Sequence, residues 1–219
     1  MTETGQDVAG FVLAGGRSSR MGEDKALVEV AGRPLVAHAL EVLRMAGLEP
    51  RIAGGRLDLN EFAPVIPDLE PGLGPLGGVV SALEMTRQKW AVFVSIDMPL
   101  MAPELVGFLV RDAQVAGAAV TLSAVNGFAE TVPAVVRTEM LPALRERLAQ
   151  GNGGCFAAFA AAAHQRGESI RTVAAEVLAQ TGQVRDARGL WPHQWFLNVN
   201  TTSDREMASA ALERSHPLF

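Results

Sequence analysis

The chain has 219 residues, and at about 150 residues per domain this length favours a single domain spanning residues 1–219. Hydrophobic residues make up 48% of the sequence and charged residues 20%, so the composition excludes a disordered chain and supplies a sizeable core. The formal net charge of −5 argues against a broad nucleic-acid surface, and the single cysteine excludes an intrachain disulfide and a multi-cysteine zinc site.

The first half of the chain predicts strands that alternate with helices. Residues 8–14 are a short apolar run closed by two glycines, which is typical of a buried strand that enters a loop. A helical pattern opens at residues 32–34 and ends at Gly47, and short strands are predicted over residues 51–53 and 63–67. A helix is then predicted over residues 76–86, a buried strand over the apolar run 90–96, and a further helix over residues 103–115.

The second half continues the alternation and fixes the expected fold class. Two strands, two helices, a strand and a last helix ending near Arg214 are predicted, in this order, over residues 118–125, 131–136, 139–150, 172–180, 196–200 and 203–214. This order implies right-handed crossovers and an α/β fold with a mostly parallel sheet covered on both faces, whose ligands bind at the carboxyl ends of the strands. The start of the chain lacks a basic signal sequence and no stretch is typical of a membrane span, so we expect a cytoplasmic protein that does not contact a membrane.

The first motif follows the first predicted strand and reads LAGGRSSRMGEDK over residues 13–25. The adjacent glycines Gly15 and Gly16 let backbone amides approach an anion, and Arg17, Arg20 and Lys25 add positive charge. These features predict a phosphate-binding loop, although not the P-loop, because the segment contains no Gly-Lys pair. The alternative is a solvated Gly/Ser turn with surface arginines.

This segment resembles the L-A-G-G-x-S-x-R-M-G-x-D-K signature of the MobA-like nucleotidyltransferases, a family that includes molybdenum cofactor guanylyltransferases. Further motifs of that family follow in the same order along residues 8–210: Asp68 before GPLGG at 74–78, SIDMP at 95–99 and NVNT at 198–201. The resemblance implies a three-layer αβα sandwich, Rossmann-like, of the nucleotide-diphospho-sugar transferase type. It also implies nucleotidyl transfer as the reaction.

Two aspartates are candidates for binding the nucleotide and its metal. Asp97 is the first acid after the apolar run 90–96, where a carboxylate can hold Mg²⁺, and it lies too far before Pro103 to cap the next helix. Asp68 is interpreted as a nucleotide contact, with 74–78 as a tight turn near the base or ribose; the alternative is a glycine turn with a capping aspartate. Residues 72–77 also fit G-x-G-x-x-G, but an internal proline and their distance from a strand count against a dinucleotide site.

Several other residues leave the acceptor side of the site open. Asn198 and Asn200 would share one face of a strand and could bind metal-bound water or the acceptor, or else belong to an edge strand that enters a helix cap. Trp191 and Trp195 could line a pocket for a pterin ring, but core packing is the preferred interpretation. Cys155 is interpreted as a small buried hydrophobe and not as a nucleophile.

The resemblance implies that the chain transfers GMP from GTP to molybdopterin, forming the guanine dinucleotide cofactor and pyrophosphate with Mg²⁺. Arg20 and Lys25 would hold the β- and γ-phosphates, and Asp97 would carry the metal. Molybdoenzyme maturation chaperones are the implied partner proteins. Gly15 favours guanine, because guanylyl members read LAGG and cytidylyl members LAAG. The implied nucleotide contacts are Leu13, Ala14, Gly15, Gly16, Lys25, Asp68 and Asp97.

Departures from the family's pattern keep two alternatives open. Ala53 replaces a frequent asparagine, residues 130–133 replace a more common His-Pro or Arg-Pro, and residues 151–192 do not align by eye. One alternative is a cytidylyl or other nucleotidyl transferase of the same fold with a different acceptor. The other is a non-catalytic nucleotide-binding maturation protein, which would be expected to lack one of Arg20, Lys25 or Asp97.

Overall fold

The computed structural model describes residues 7–14, 24–70, 72–151 and 154–214. Their strands are β1 (Val8–Leu13), β2 (Glu29–Val30), β3 (Arg33–Pro34), β4 (Pro50–Ala53), β5 (Val65–Ile66), β6 (Trp90–Ser95), β7 (Val120–Val125), β8 (Phe128–Arg137) and β9 (Ile170–Ala174). Their α-helices are α1 (Leu35–Met45), α2 (Gly74–Glu84), α3 (Pro103–Ala116), α4 (Leu141–Ala149), α5 (Cys155–Gln165), α6 (Ala175–Gln180), α7 (Pro192–Trp195) and α8 (Thr202–Arg214).

The central sheet is mostly parallel, as the alternation of elements predicts. Seven strands lie in the order β5-β4-β1-β6-β8-β7-β9, while β2 and β3 form a separate antiparallel pair. β1 is parallel to β4 and β6, β4 to β5, and β7 to β9, whereas β8 is antiparallel to both β6 and β7. The six parallel strands therefore end at one edge of the sheet, which we call the carboxyl edge, and β8 begins there.

Helices cover both faces of this sheet, and the expected three-layer αβα arrangement is confirmed. One hydrophobic core lies between the sheet and α1, α3, α6 and α8, and the other lies between the sheet and α2, α4 and α5. Strand β1 supplies both cores by alternation, with Val12 facing the first and Phe11 the second. None of the helices in these residues is both long and apolar enough to cross a membrane.

Three local predictions are wrong. Residues 172–180 were expected to form one helix, but β9 occupies Ile170–Ala174 before α6 begins, because the segment completes the sheet beside β7. Residues 196–200 form no strand, since this segment crosses the carboxyl edge instead of joining the ladder. Residues 74–78 are the first turns of α2 and not a tight turn.

Candidate functional site

Three polar side chains from distant parts of the chain meet at the carboxyl edge. Asp97 follows the end of β6, Lys25 begins a 3-10 turn (Lys25–Leu27), and Asn200 precedes α8. The Lys25 ammonium donates hydrogen bonds to Asp97 Oδ2 at 2.7 Å and to Asn200 Oδ1 at 2.6 Å. The Lys25 and Asp97 side chains are 19% and 18% exposed, so this ion pair is only partly screened by water.

Asp97 is held in place through both its side chain and its main chain. Its carboxylate accepts a hydrogen bond from the Ser95 hydroxyl, and its carbonyl accepts one from the Val199 N–H at 2.8 Å. The preceding residue, Ile96, donates its N–H to the Leu13 carbonyl at 3.3 Å, which extends the pairing of β1 with β6. Asp97 is therefore fixed by the two central strands and by the segment that leads to Asn200.

A charged cluster positions the turn that carries Lys25. Asp24 Oδ1 accepts the N–H of Ala26 at 3.0 Å, which caps the turn, and the Arg56 guanidinium binds both oxygens of Asp24. Arg56 also donates to Asp58 at 3.0 and 2.6 Å. Hydrogen bonds to Asp58 and Asp24 raise the pKa of Arg56, and the same guanidinium lowers the pKa of Asp58. Sequence analysis missed Arg56, whose only signal is its position shortly after β4.

Asp68 lies beside the loop that follows β4. Its Oδ2 accepts the Gly55 N–H at 3.1 Å, whereas its buried Oδ1 has no hydrogen-bond partner within the described part of the chain. Burial raises the pKa of this carboxyl, and the bond from Gly55 partly offsets that effect. The next residue, Leu69, donates its N–H to the hydroxyl of Ser81 on α2 at 3.0 Å, which fixes the segment to the helix. Asp68 thus has one buried acceptor oxygen that none of the described residues pairs.

The predicted phosphate loop is described only at its two ends. Leu13 and Ala14 are buried, and the Ala14 N–H donates to the Ala53 carbonyl at 3.0 Å. Asp24 and Lys25 are the described residues at the other end. Gly15, Gly16, Arg17 and Arg20 lie outside the described residues, so their roles stay predictions.

The two asparagines predicted to share one strand face have different environments. Asn200 contacts Lys25, whereas Asn198 donates its Nδ2–H to the nearby Phe196 carbonyl at 3.3 Å. The alternation on which the pairing depended does not apply, because the segment is not a strand. The backbone N–H of Asn200 donates to Asp204 Oδ2 at 3.0 Å, so the capping interpretation also holds for this segment.

The tryptophans, the cysteine and the glutamate considered in the sequence differ in their exposure to solvent. Trp195 is 1% exposed and donates its Nε1–H to the Leu190 carbonyl, as core packing predicts, but Trp191 is 60% exposed. Cys155 is buried, and burial raises the pKa of its thiol to about 11, which confirms that it is not an activated nucleophile. Glu130 lies where the register between β7 and β8 shifts, and burial raises the pKa of its carboxyl.

The donor set at the carboxyl edge fits a hard cation. No group of three or more His, Cys, Asp or Glu side chains that could hold a metal occurs among the residues described. Mg²⁺, however, usually takes one or two protein carboxylates and completes its shell with water and substrate phosphates. Asp97 and Asn200 present two oxygens that converge on one positive charge, the Lys25 ammonium, and oxygens in this arrangement suit a magnesium ion.

Comparisons with known proteins find related sequences. The family model described as the MobA-like NTP transferase domain matches residues 10–184. A protein named molybdenum cofactor guanylyltransferase from Xanthomonas euvesicatoria pv. vesicatoria is 44% identical over 106 residues, which are 48% of this chain and only 54% of that protein. A protein of the same name from Serratia proteamaculans is 35% identical over 152 residues, 67% of this chain and 76% of that protein.

The fold is also similar to that of solved structures. The crystal structure of molybdopterin-guanine dinucleotide biosynthesis protein A from Archaeoglobus fulgidus superposes with a TM-score of 0.75, covering 94% of this chain and 99% of that one. The sequences are 21% identical, so this likeness concerns the fold. This likeness supports the sheet described above and the location of its carboxyl edge.

Proposed function

This chain belongs to the MobA-like NTP transferase family, and we propose that it transfers GMP from GTP to molybdopterin, the organic part of the molybdenum cofactor. The observation that carries the proposal is the convergence of Asp97 and Asn200 on the Lys25 ammonium at the carboxyl edge, where nucleotides bind in sheets of this kind. The names of the related proteins support the choice of donor and acceptor.

The proposed reaction needs positioned charge and no covalent enzyme intermediate. An oxygen of the acceptor phosphate forms a bond to the α-phosphorus of GTP, while the bond between that phosphorus and the α,β-bridging oxygen breaks. The bonding electron pair leaves with pyrophosphate. No protein base is needed, because a phosphate monoester with a second pKa of about 6 is largely dianionic at neutral pH. The site must therefore stabilise negative charge on phosphate oxygens.

Lys25 is suited to the triphosphate end of the nucleotide. A lysine ammonium is a compact charge on a flexible stem, so it can exchange the oxygens of Asp97 and Asn200 for phosphate oxygens. We assign Lys25, together with Arg20 of the phosphate loop, to the β- and γ-phosphates. Asp97 and Asn200 would then hold Mg²⁺, which supplies positive charge at the phosphate oxygens when it is bound.

Asp68 supports guanine as the base. An ionised carboxylate only accepts hydrogen bonds, and guanine presents an N–H and an amino group side by side on one edge. We assign the Asp68 carboxylate to such an edge or to ribose hydroxyls; its Oδ1 is buried and unpaired among the described residues, so the side chain would turn to present both oxygens. Gly15 favours guanine by its match to the guanylyl members of the family.

We also propose that the protein acts in the cytoplasm as one domain over residues 1–219 and delivers its product through maturation chaperones.

The test is pyrophosphate release on addition of molybdopterin to the protein and one nucleoside triphosphate. We expect release with GTP and Mg²⁺ and little release with CTP or ATP. Preferential release with CTP would replace the guanylyl proposal by the cytidylyl one. Tight GTP binding without release would favour a non-catalytic maturation protein.

A further inference from the structure

One tryptophan at the carboxyl edge is exposed without an evident structural reason. Trp191 is 60% exposed, whereas the other two tryptophans of the chain, Trp90 and Trp195, are buried. Its main chain is fixed, because its N–H donates to Gln194 Oε1 at 3.0 Å and its carbonyl accepts the Gln194 N–H at 2.8 Å. The indole therefore projects from a rigid base at the start of α7. Burying it against a ligand would recover the cost of exposing a large aromatic surface.

Trp191 also lines a cavity that contains fixed polar groups. The cavity has a volume of about 110 Å³, and we call it the Trp191 cavity. Glu176 supplies a carboxylate to this cavity. It accepts the Asn126 N–H at 2.5 Å and is thereby held against the turn between β7 and β8. Phe128, the first residue of β8, follows this turn and is 75% exposed. The residues lining the Trp191 cavity are Asn126, Glu176, Gln180, Trp191, Pro192 and His193.

The Trp191 cavity and the Lys25–Asp97 pair lie at the same edge of the sheet. β6 leads to Asp97 and β7 leads to Asn126, and only β8 separates these two strands in the sheet. Two strand spacings place the ends of β6 and β7 about 10 Å apart. From Trp191 the chain passes through α7 and returns to the Lys25–Asp97 pair, where the Val199 N–H donates a hydrogen bond to the Asp97 carbonyl. A ligand of moderate length could therefore touch both places.

We propose that the Trp191 cavity receives the ring system of the acceptor, a flat nitrogen heterocycle that carries a phosphate on a short arm. The ring stacks on the indole of Trp191, and Glu176 accepts hydrogen bonds from the amino and N–H groups at the ring edge. The phosphate arm then extends along the carboxyl edge toward Lys25 and Asp97, since the end of β6 lies two strand spacings from the end of β7. This inference rests on the proposed function, because that function requires the acceptor phosphate at this centre.

The kinetic test compares Trp191→Ala with Trp191→Phe. Loss of aromatic stacking should raise the KM for molybdopterin on the order of tenfold, while the KM for GTP stays unchanged and the phenylalanine variant keeps most of the acceptor affinity. Phe156→Ala is the matched control, since Phe156 is an aromatic residue of α5, 42% exposed, on the opposite face of the sheet. A KM for molybdopterin that changes no more in Trp191→Ala than in this control would overturn the proposal.

A binding measurement separates this inference from the proposed function. The probe is 6-hydroxymethylpterin monophosphate, titrated into the protein by calorimetry without nucleotide. We expect binding that Trp191→Ala and Glu176→Gln both weaken, with GTP binding unaffected; glutamine can keep the bond to Asn126 while losing the charge. Pterin binding that depends on Trp191, without pyrophosphate release, would uphold the cavity and refute the proposed reaction. Release with molybdopterin that is insensitive to Trp191→Ala would refute only the cavity, and absence of both binding and release would refute both.

Discussion

The ammonium of Lys25 lies 2.7 Å from the carboxylate of Asp97, although 72 positions separate the two residues in the chain. One residue ends the predicted phosphate loop and the other follows the central strand, so the contact joins the two motifs that carry the chemistry. The pair is partly buried, so the cost of removing its charges from water offsets much of their attraction, and it adds little to stability. Its value is positional, because it sets a positive and a negative charge side by side where a metal and a triphosphate are proposed to bind.

Asp97→Asn should abolish most activity with little effect on folding. The amide keeps the shape of the side chain but removes the charge proposed to hold Mg²⁺, and loss of one such electrostatic group typically costs on the order of 10²–10³ in rate. Turnover of GTP with molybdopterin and the thermal midpoint should be measured together. Asp112→Asn, which alters an aspartate paired with Arg171 elsewhere, is the control. Near-normal turnover in Asp97→Asn would contradict the metal assignment.

Lys25→Ala should weaken binding of GTP far more than binding of guanosine. The ammonium is assigned to the β- and γ-phosphates, which guanosine lacks, so only the triphosphate loses an interaction with the missing charge. Titration of both ligands into both proteins gives the comparison directly. Equal losses for GTP and guanosine would mean that Lys25 orders the loop and does not contact phosphate.

Arg56→Ala should reduce activity although Arg56 does not touch Lys25. The guanidinium binds both oxygens of Asp24, which caps the turn carrying Lys25, so its loss should release that turn and raise the Kd for GTP on the order of tenfold. Asp58→Ala is the matched control, because it removes the other partner of Arg56 and leaves the bonds to Asp24. If both variants bind GTP equally well, Arg56 has no positioning role.

Sequence reasoning was most successful where one strand with a strong pattern precedes a motif. The apolar run of β6 and the acid that follows it predicted the location of Asp97, because parallel strands place their carboxyl ends together. Reasoning failed at residues 196–200, where a short apolar segment resembles a strand but contacts Asp97 through a single backbone bond. It could not find Arg56 either, since the Arg56–Asp24 contact joins segments whose spacing in the sequence carries no pattern.

The glycines at the start of α2 should differ in their tolerance of alanine. A Cβ on Gly77 would lie 2.9 Å from the Cβ of Leu73, which is too close, whereas a Cβ on Gly78 would have ordinary contacts of 3.6 Å with Leu13 and the Ala53 carbonyl. Gly77→Ala should therefore lower the free energy of unfolding, by about 1–3 kcal/mol for an overpacked site. Gly78→Ala should be neutral or stabilising, because alanine favours helix by about 1 kcal/mol. Urea denaturation of both variants tests this, and equal stabilities would show that the start of α2 adjusts freely.

The buried histidine of α1 should make stability depend on pH. His38 is 7% exposed, its Nε2 lies 2.8 Å from the Val30 carbonyl, and burial lowers its pKa despite that hydrogen bond. A histidine with a lowered pKa in the folded state is protonated more readily after unfolding. Its contribution to stability is therefore complete above the unfolded pKa of about 6.5 and is lost as pH falls from there toward the folded pKa.

A variant of His38 separates this effect from the carboxylates that also titrate on acidification. One histidine can change the free energy of unfolding by at most about 1.4 kcal/mol per pH unit, so urea denaturation at pH 7.5, 6.5, 6.0 and 5.5 should resolve it. His38→Gln retains an amide N–H that can donate to the Val30 carbonyl but does not titrate, so its stability should fall less steeply below pH 6.5. His164→Gln, a change of an exposed histidine on α5, should retain the wild-type slope. Identical slopes in His38→Gln and the wild type would mean that His38 takes up its proton equally well in the folded and unfolded states, and burial would then not be the dominant influence on its titration.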